Sequence, residues 1–147
     1  MKIYLAGPLF STAEQEFNSR LKQHLIEYGH EVWLPQDESD EQTGEKTATE
    51  IFTKDVEGID WADLVVANMD GPDPDSGTCW ECGYAYRKKP VVIFRTDFRI
   101  EGGIAPYNLM LTESATKVVT VQPFSSSEAV AQQINHALLE LTRVQTH

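Results

Sequence analysis

The sequence has little of what would place a protein in an oxidising compartment, in a membrane or on a nucleic acid. It has only two cysteines, Cys79 and Cys82, and their spacing of three positions cannot close the long loops that staple small secreted domains. Its 12 Lys and Arg are outnumbered by 23 Asp and Glu, so the net charge of −11 repels a polyphosphate backbone. No apolar run approaches the ~20 residues of a membrane span. We therefore expect no disulfide staple, no nucleic-acid polymer as partner and no membrane association.

The N-terminus also lacks the marks of a secretory leader. Residues 2–5 already read as a β-strand. They offer neither the charged region nor the long apolar stretch and small-residue cleavage site of such leaders. This absence predicts a cytoplasmic protein.

What the sequence does contain is an alternation of apolar strands with amphipathic helices. With 147 residues, 41% of them hydrophobic, it suits a single domain over residues 1–147 that buries about two thirds of its unfolded surface. Strand patterns occupy 3–6, 31–34, 64–69, 90–94 and 117–121, and helical patterns occupy 11–28, 48–59, 78–87 and 125–142. Such alternation indicates a parallel sheet covered on both faces. We predict a doubly wound α/β domain, and its five strands favour the flavodoxin-like order 2-1-3-4-5.

Three local predictions accompany this fold. The polar stretch 36–46 has no periodicity and is expected to be a surface loop. In the second helix, Ile51, Phe52, Val56 and Ile59 recur at helical spacing and predict one apolar face. The long 95–107 connection contains two adjacent glycines and could cover a site as a lid.

The loop after the third strand holds the densest group of acids. Asp70, Asp73 and Asp75 lie in a segment too rich in glycine and proline for regular structure. In parallel sheets ligands bind outside the carboxyl ends of the strands, so this loop is a candidate site. A helix beginning at Thr78 would put Glu81 in its first turn, where free N–H groups favour an ionised carboxylate.

The neighbours of Glu81 strengthen that prediction. Trp80 and Tyr84 would flank it, Gly83 would allow close backbone approach, and Asp75 would lie across the turn. Two carboxylates at one strand end suit a glycosyl transfer, in which one attacks the anomeric carbon and the other manages protons. The simpler interpretation is that Glu81 is an ordinary acid at a helix start.

The two cysteines open a rival interpretation. A Cys-x-x-Cys pair at a helix start is also the thiol redox motif, because the helix dipole lowers a thiol pKa. A structural zinc site would need two further ligands, and no histidine has ligand spacing with the pair. The third interpretation is that both cysteines are small apolar residues that pack the helix.

Four segments in order resemble the signature segments of the nucleoside 2-deoxyribosyltransferases. The third combines Asp-x-Gly-Thr-x-x-Glu-x-Gly, and the fourth contains Asn-Leu-Met. Together they are far more specific than a lone glycine motif. The segments are Lys2–Pro8, Asp55–Asp63, Asp75–Gly83 and Pro106–Leu111.

The resemblance implies transfer of a 2-deoxyribosyl group between purine or pyrimidine bases. It implies double displacement with net retention through a covalent glutamyl intermediate, no metal or organic cofactor, and a dimer-based homo-oligomer with shared active sites. Glu81 matches the nucleophile, Tyr4 the residue that holds its carboxylate, Asp75 the acid that binds the sugar hydroxyls, and Asp55 a candidate proton donor near the base. The substrate-binding positions carried over are Asn108 and Met110, which reach into a neighbouring subunit's site, and Gly7 and Gly77.

Alternatives remain for both the residues and the reaction. Without the resemblance, Asp55 reads as an exposed acid on a helix and Tyr4 as a core residue whose hydroxyl needs a partner. The nearest rival function is a 2′-deoxynucleoside 5′-monophosphate N-glycosidase, which would use the same glutamate but read a phosphate. Asp75 would repel that phosphate, which favours the free nucleoside. A non-catalytic nucleoside or nucleotide sensor is the third class.

Overall fold

Five parallel strands form one sheet in the computed structural model, which describes residues 1–38, 46–99 and 107–144. The strands are β1 (Lys2–Ala6), β2 (Glu31–Trp33), β3 (Leu64–Asn68), β4 (Val91–Arg95) and β5 (Lys117–Thr120). Their order is β2-β1-β3-β4-β5, with all neighbours parallel, and Tyr4 of β1 pairs with Trp33 and Val65. The predicted flavodoxin-like order is confirmed. The carboxyl ends of β1 and β3 therefore meet at the centre of one sheet edge.

Six helices lie within the described residues, and their ends follow from local sequence. They are α1 (Thr12–Glu27), α2 (Pro35–Glu38), α3 (Ala48–Trp61), α4 (Ser76–Ala85), α5 (Leu109–Ser114) and α6 (Ser127–Val144). Ser11 caps α1 by accepting the N–H of Glu14, and Thr47 with Glu50 forms a reciprocal capping box on α3. Gly29, at φ +88°, follows the end of α1. Within the described residues, no helix has the length and apolarity to cross a membrane.

Alternation along the strands divides the core into two faces. Ile3 and Leu5 of β1 face α1 and α6; we call this side the α1/α6 face. Tyr4 and Ala6 face the opposite side, which we call the α3/α4 face, where Ile59 of α3 packs in the same cluster. Leu111 of α5 packs against that second cluster. Functional side chains at the end of β1 are thus sorted onto one face by their position along the strand.

Several local predictions were wrong. The stretch 36–46 is not a loop throughout, because Pro35 begins the short helix α2; residues 39–45 lie outside the described residues. The predicted apolar face of α3 is only partly buried: Ile59 is inaccessible, whereas Ile51 and Phe52 are about half exposed. The helix α5 was not predicted. Of the 95–107 connection suggested as a lid, residues 100–106 lie outside the described residues.

Candidate active site

A hydrogen bond between β1 and α4 is the centre of the site. Tyr4 is completely buried, and its hydroxyl donates to Oε2 of Glu81. The strand alternation turns Tyr4 toward the α3/α4 face, and α4 passes above it. A buried phenol needs a polar partner, and the glutamate carboxylate supplies one. The bond therefore fixes the position of the Glu81 side chain.

Glu81 lies in the second turn of α4, not in the first turn as predicted. Asp75 caps the helix, with Oδ2 accepting the N–H of Thr78 at 2.9 Å and its hydroxyl at 3.0 Å. This cap starts α4 at Ser76, two residues earlier than the sequence pattern suggested, so Glu81 is the sixth helical residue. The free N–H groups of the first turn are therefore not what stabilises its charge.

The prediction that Glu81 stays fully ionised was also wrong. Burial raises the pKa of Glu81 to about 7. The hydrogen bond from Tyr4 opposes that rise in pKa, while the charges of Asp55 and Asp75 add to it. At neutral pH the carboxyl group is therefore divided between its protonated and ionised forms.

Asp55 faces Glu81 from α3. Burial raises the pKa of Asp55, and its charge in turn contributes to the raised pKa values of Tyr4 and Glu81. The side chain is half-buried, which contradicts the interpretation of Asp55 as an ordinary exposed acid on a helix. Two carboxyl groups with raised pKa values thus approach each other between α3 and α4, an arrangement typical of acid and base groups in active sites.

Two cavities meet at Asp55. The first, the Glu81 cavity, has a volume of about 370 Å³ and is lined by Phe52, Asp55, Gly77, Trp80 and Glu81. The second, the Phe10 cavity, has a volume of about 250 Å³. Its lining comes from the loop after β1, from α2, from Lys46 before α3 and from α3 itself: Leu9, Phe10, Pro35, Gln36, Glu38, Lys46, Ile51, Lys54 and Asp55. Asp55 therefore lies between the Glu81 cavity, which contains a carboxylate, and the Phe10 cavity, whose exposed surface is largely apolar.

The aromatic residues beside Glu81 form a stack instead of two flanking walls. Trp80 lines the Glu81 cavity, and Tyr84 stacks behind it with ring centroids 5.3 Å apart. Phe52 meets Trp80 edge-on at 5.4 Å, and the Tyr84 hydroxyl donates to Asp60 at 3.0 Å. Phe52 was missed as a site residue, although it lies one helical turn before Asp55. Its apolar character pointed to the core, and the structure places it at the cavity.

The predicted glycines differ in their surroundings. A Cβ on Gly7 would lie 3.1 Å from Cβ of Asn68, so this position needs the close approach of two chain segments. Gly77 lines the Glu81 cavity, and a Cβ there would lie 3.3 Å from Oδ2 of Asp75. Among the described residues, no atom lies within 4 Å of a Cβ built on Gly83, so none of these chain segments approaches it closely.

The acid cluster after β3 divides into separate roles. Oδ1 of Asp70 accepts the N–H groups of Thr96 at 2.6 Å and Asp97 at 2.8 Å, which ties the loop after β3 to the segment after β4. Asp75 instead caps α4 beside Gly77. Of these two, only Asp75 is positioned next to the Glu81 cavity.

Asn108 and Met110 are not brought to Glu81 within one chain. Asn108 caps α5, with Oδ1 accepting the N–H of Met110 at 2.9 Å. The Met110 side chain is 74% exposed, and neither residue lines either cavity. These two predicted substrate-binding residues are therefore presented at the surface.

The cysteines have the opposite character from redox thiols. Burial raises the pKa of Cys79, and it raises the pKa of Cys82 to about 12, whereas a reactive thiol has a lowered pKa. Cys82 is buried in the core of the α3/α4 face, which supports the packing interpretation. Across the described ranges, no group of three or more His, Cys, Asp or Glu side chains is arranged to hold a metal ion.

Comparison with known proteins finds a matching family and similar structures. A model of the family described as nucleoside 2-deoxyribosyltransferase matches residues 3–110. The structure of a conserved protein from Enterococcus faecalis V583 is 30% identical with a TM-score of 0.73, over 93% of this chain and 98% of that one. The 2-deoxyribosyltransferase of Bacillus psychrosaccharolyticus is 32% identical with a TM-score of 0.70, over 89% and 90% of the two chains.

A third structure is similar in fold alone. The CMP N-glycosidase of Clostridium botulinum is 19% identical with a TM-score of 0.63, over 92% of this chain and 98% of that one. The match of the family model extends across all the residues that form the Tyr4, Asp55 and Glu81 arrangement. The chain belongs to the nucleoside 2-deoxyribosyltransferase family.

Proposed function

We propose that the protein transfers the 2-deoxyribosyl group of a 2′-deoxyribonucleoside to a free purine or pyrimidine base, as a step of nucleoside salvage in the cytoplasm. The observation that carries this proposal is the partly buried Glu81 carboxylate, held by the Tyr4 hydroxyl and faced by Asp55. Membership of the family supports the reaction class. The proposed steps use side chains alone, without metal or organic cofactor.

In the first step, an oxygen of ionised Glu81 attacks C1′ of the nucleoside. The N-glycosidic bond breaks, its electron pair passes to the departing base, and protonated Asp55 gives that base a proton. Burial raises the pKa of Asp55, so its protonated form is more accessible than that of an exposed aspartate, which suits a proton donor. The products are a deoxyribosyl ester of Glu81 and a free base.

In the second step, a nitrogen of the acceptor base attacks C1′ of the ester. The bond from C1′ to Glu81 breaks and returns its electron pair to the carboxylate, and the acceptor base passes its proton to Asp55. Two attacks from opposite faces give net retention. Asp75 is fixed by its two bonds to Thr78, and this rigidity suits our assignment of its carboxylate to the sugar hydroxyls.

The Phe10 cavity is our proposed position for the base. Asp55 borders both cavities, so a sugar beside Glu81 and a base in the Phe10 cavity would meet at the proton donor. The apolar lining of this second cavity suits a planar heteroaromatic ring.

A direct assay separates this function from its rivals. Incubation with deoxyadenosine and a second free base should give the exchanged nucleoside on chromatography. Release of deoxyribose 5-phosphate from a 2′-deoxynucleoside 5′-monophosphate, without transfer to a second base, would identify the N-glycosidase instead. Binding without turnover of either substrate would identify a sensor.

We further propose that each active site is shared within a homo-oligomer built from dimers. Exposed Asn108 and Met110 would then complete the site of a neighbouring subunit. The test mixes a Glu81→Ala chain with an Asn108→Ala chain, each nearly inactive alone. Mixed dimers hold one intact site, so activity should return to about a quarter of wild type. No recovery despite proven subunit exchange would exclude a shared site.

A further inference from the structure

Three side-chain amides connect the first half of α1 to the loop after β1 and to the helix α2. Asn18 is buried, and its Nδ2 donates to the carbonyl of Pro8 at 2.9 Å and to Oε1 of Gln36 at 3.0 Å. Gln15 donates through Nε2 to the carbonyl of Leu9 at 2.9 Å. Gln36 in turn donates to the carbonyl of Gln15 at 2.9 Å. These bonds form one continuous network, which we call the amide network.

The amide network holds part of the lining of the Phe10 cavity. Leu9 and Phe10 follow the carbonyl that Asn18 holds, and Gln36 itself lines the cavity. Phe10 is 78% exposed, so burial of its ring does little to fix it in place. The position of this part of the lining therefore depends on how the backbone at Pro8 and Leu9 is held.

Asn18 is the member of the network with the most restricted surroundings. It is 4% exposed, and its Oδ1 would lie 3.9 Å from a Cβ on Gly7, the residue that packs against Asn68. One donor group, Nδ2, reaches both the loop after β1 and the helix α2. Removing the amide would take one donor from the Pro8 carbonyl and one from Oε1 of Gln36, and a buried polar network that loses bonds becomes less rigid.

We propose that Asn18 is a positioning residue, which sets base affinity by fixing the loop after β1 and the helix α2, both of which line the Phe10 cavity. The inference rests on the proposed function and deepens it, because it separates the groups that hold the base from those that transfer the sugar. The hydrogen bonds of Asn18 go to Pro8 and Gln36, and not to Glu81 or Asp55. Its loss should weaken capture of the base and leave sugar chemistry at Glu81 intact.

The deoxyribosyl ester provides the readout. Once formed, the ester is consumed either by a base, which must occupy the Phe10 cavity, or by water, which need not. With deoxyadenosine and a subsaturating second base, the ratio of exchanged nucleoside to free deoxyribose measures that competition. The ratio does not depend on how much enzyme is folded, so simple destabilisation cannot move it.

The variants are Asn18→Ala and Gln15→Ala, with Asn135→Ala as matched control. Oδ1 of Asn135 on α6 accepts a hydrogen bond from Nε2 of His30 at 2.9 Å, and neither residue lines either cavity. We expect the ratio to fall about tenfold in Asn18→Ala and about threefold in Gln15→Ala, in line with the sensitivity of such reactions to small misplacements. In Asn135→Ala it should equal the wild-type ratio. Gln15 is on the surface, so its variant should fold even if Asn18→Ala does not.

The outcomes distinguish this inference from the proposed function. If the wild type forms exchanged nucleoside but Gln15→Ala and any folded Asn18→Ala keep its ratio, the positioning role is wrong and the transferase function stands. An equal fall in Asn135→Ala would also overturn it, because the effect would then be general. If the wild type forms no exchanged nucleoside, the transferase function itself fails, and this inference with it.

Discussion

On the α1/α6 face of the sheet β1 contributes Ile3 and Leu5, whereas on the α3/α4 face the same strand contributes Tyr4. The helices differ in the same way. The inner side of α6 is wholly apolar, while α4 brings Glu81 against the sheet together with Cys82. Burying apolar groups stabilises the fold, and burying a carboxyl group destabilises its ionised form. Apolar burial on the α1/α6 face therefore offsets the stability that the α3/α4 face loses by burying the Glu81 carboxyl group.

Removal of the Glu81 carboxylate is the largest expected effect. Glu81→Ala should lose at least ~10³-fold in exchange rate, because a group that acts in the transition state disappears. Exchange of deoxyadenosine with a second base, followed by chromatography, measures the loss. A near-normal rate in a folded variant would remove Glu81 from the mechanism.

A substitution that empties space in the core of the α1/α6 face should affect stability alone. Leu138 on α6 is buried, and Leu138→Ala should lower the free energy of unfolding by about 2 to 5 kcal/mol. The exchange rate per folded molecule should stay at the wild-type value. Urea denaturation measures the stability, and the exchange assay, scaled to the amount of folded protein, measures the rate. A tenfold lower rate per folded molecule would show that the two faces are coupled.

Neutralising Glu81 should stabilise the protein at high pH. The pKa of Glu81 rises from 4.5 to about 7 on folding, so the folded state binds this proton more tightly than the unfolded state. Stability therefore declines as pH rises from 4.5 through 7. Glu81→Gln should gain about 3 kcal/mol above pH 7, at 1.36 kcal/mol per pKa unit, and nothing below pH 4.5. Urea denaturation across this pH range is the measurement. A gain in stability that does not depend on pH would show that the raised pKa of Glu81 is not its cause.

Loss of the Tyr4 hydroxyl should shift the pH dependence of catalysis. Tyr4→Phe keeps the buried ring but removes the hydrogen bond that lowers the Glu81 pKa. That pKa should rise above 7, so the acidic limb of the kcat/KM profile should move to higher pH. At neutral pH we expect a loss of about 10- to 100-fold, the range for one positioned hydrogen bond to a reacting group. If the acidic limb of the kcat/KM profile does not move, the Tyr4 hydroxyl does not lower the Glu81 pKa and the side chain contributes packing alone.

The smallest effect is expected from the cysteines. Cys79→Ala combined with Cys82→Ala should keep most activity and cost about 1 to 2 kcal/mol of stability, since these small side chains contribute packing. Thermal unfolding and the exchange assay, with and without reductant, check both parts. If a folded double variant is inactive, or if reductant abolishes turnover, thiol chemistry returns as an explanation.

The same contrast between faces explains how much could be predicted from the sequence. On the α1/α6 face, the apolar spacing of Val130, Ile134 and Leu138 predicts both the helix and its buried side. On the α3/α4 face, the same reasoning assigned Ile51 and Phe52 to the core, although both line cavities. Apolar periodicity does not distinguish a residue that meets the core from one that borders a cavity.

Capping chemistry limited the prediction of the site. The acids around Glu81 were correctly placed at the end of β3, but the side-chain cap from Asp75 moved the helix start to Ser76 and Glu81 into the second turn. The raised pKa of Glu81 depends on burial beside Tyr4, a residue 77 positions away along the chain. Such long-range contacts could be inferred only through the family resemblance.

The most direct test of the account is to trap the ester on Glu81. A 2-fluoro-2-deoxy nucleoside disfavours oxocarbenium character and should slow breakdown of the intermediate, so that peptide mass spectrometry can locate the sugar. We predict the added mass on the peptide that contains Glu81, and its absence in Glu81→Gln. Labelling of Asp55 or Asp75 instead, or full exchange activity with no labelled peptide, would contradict a covalent mechanism at Glu81.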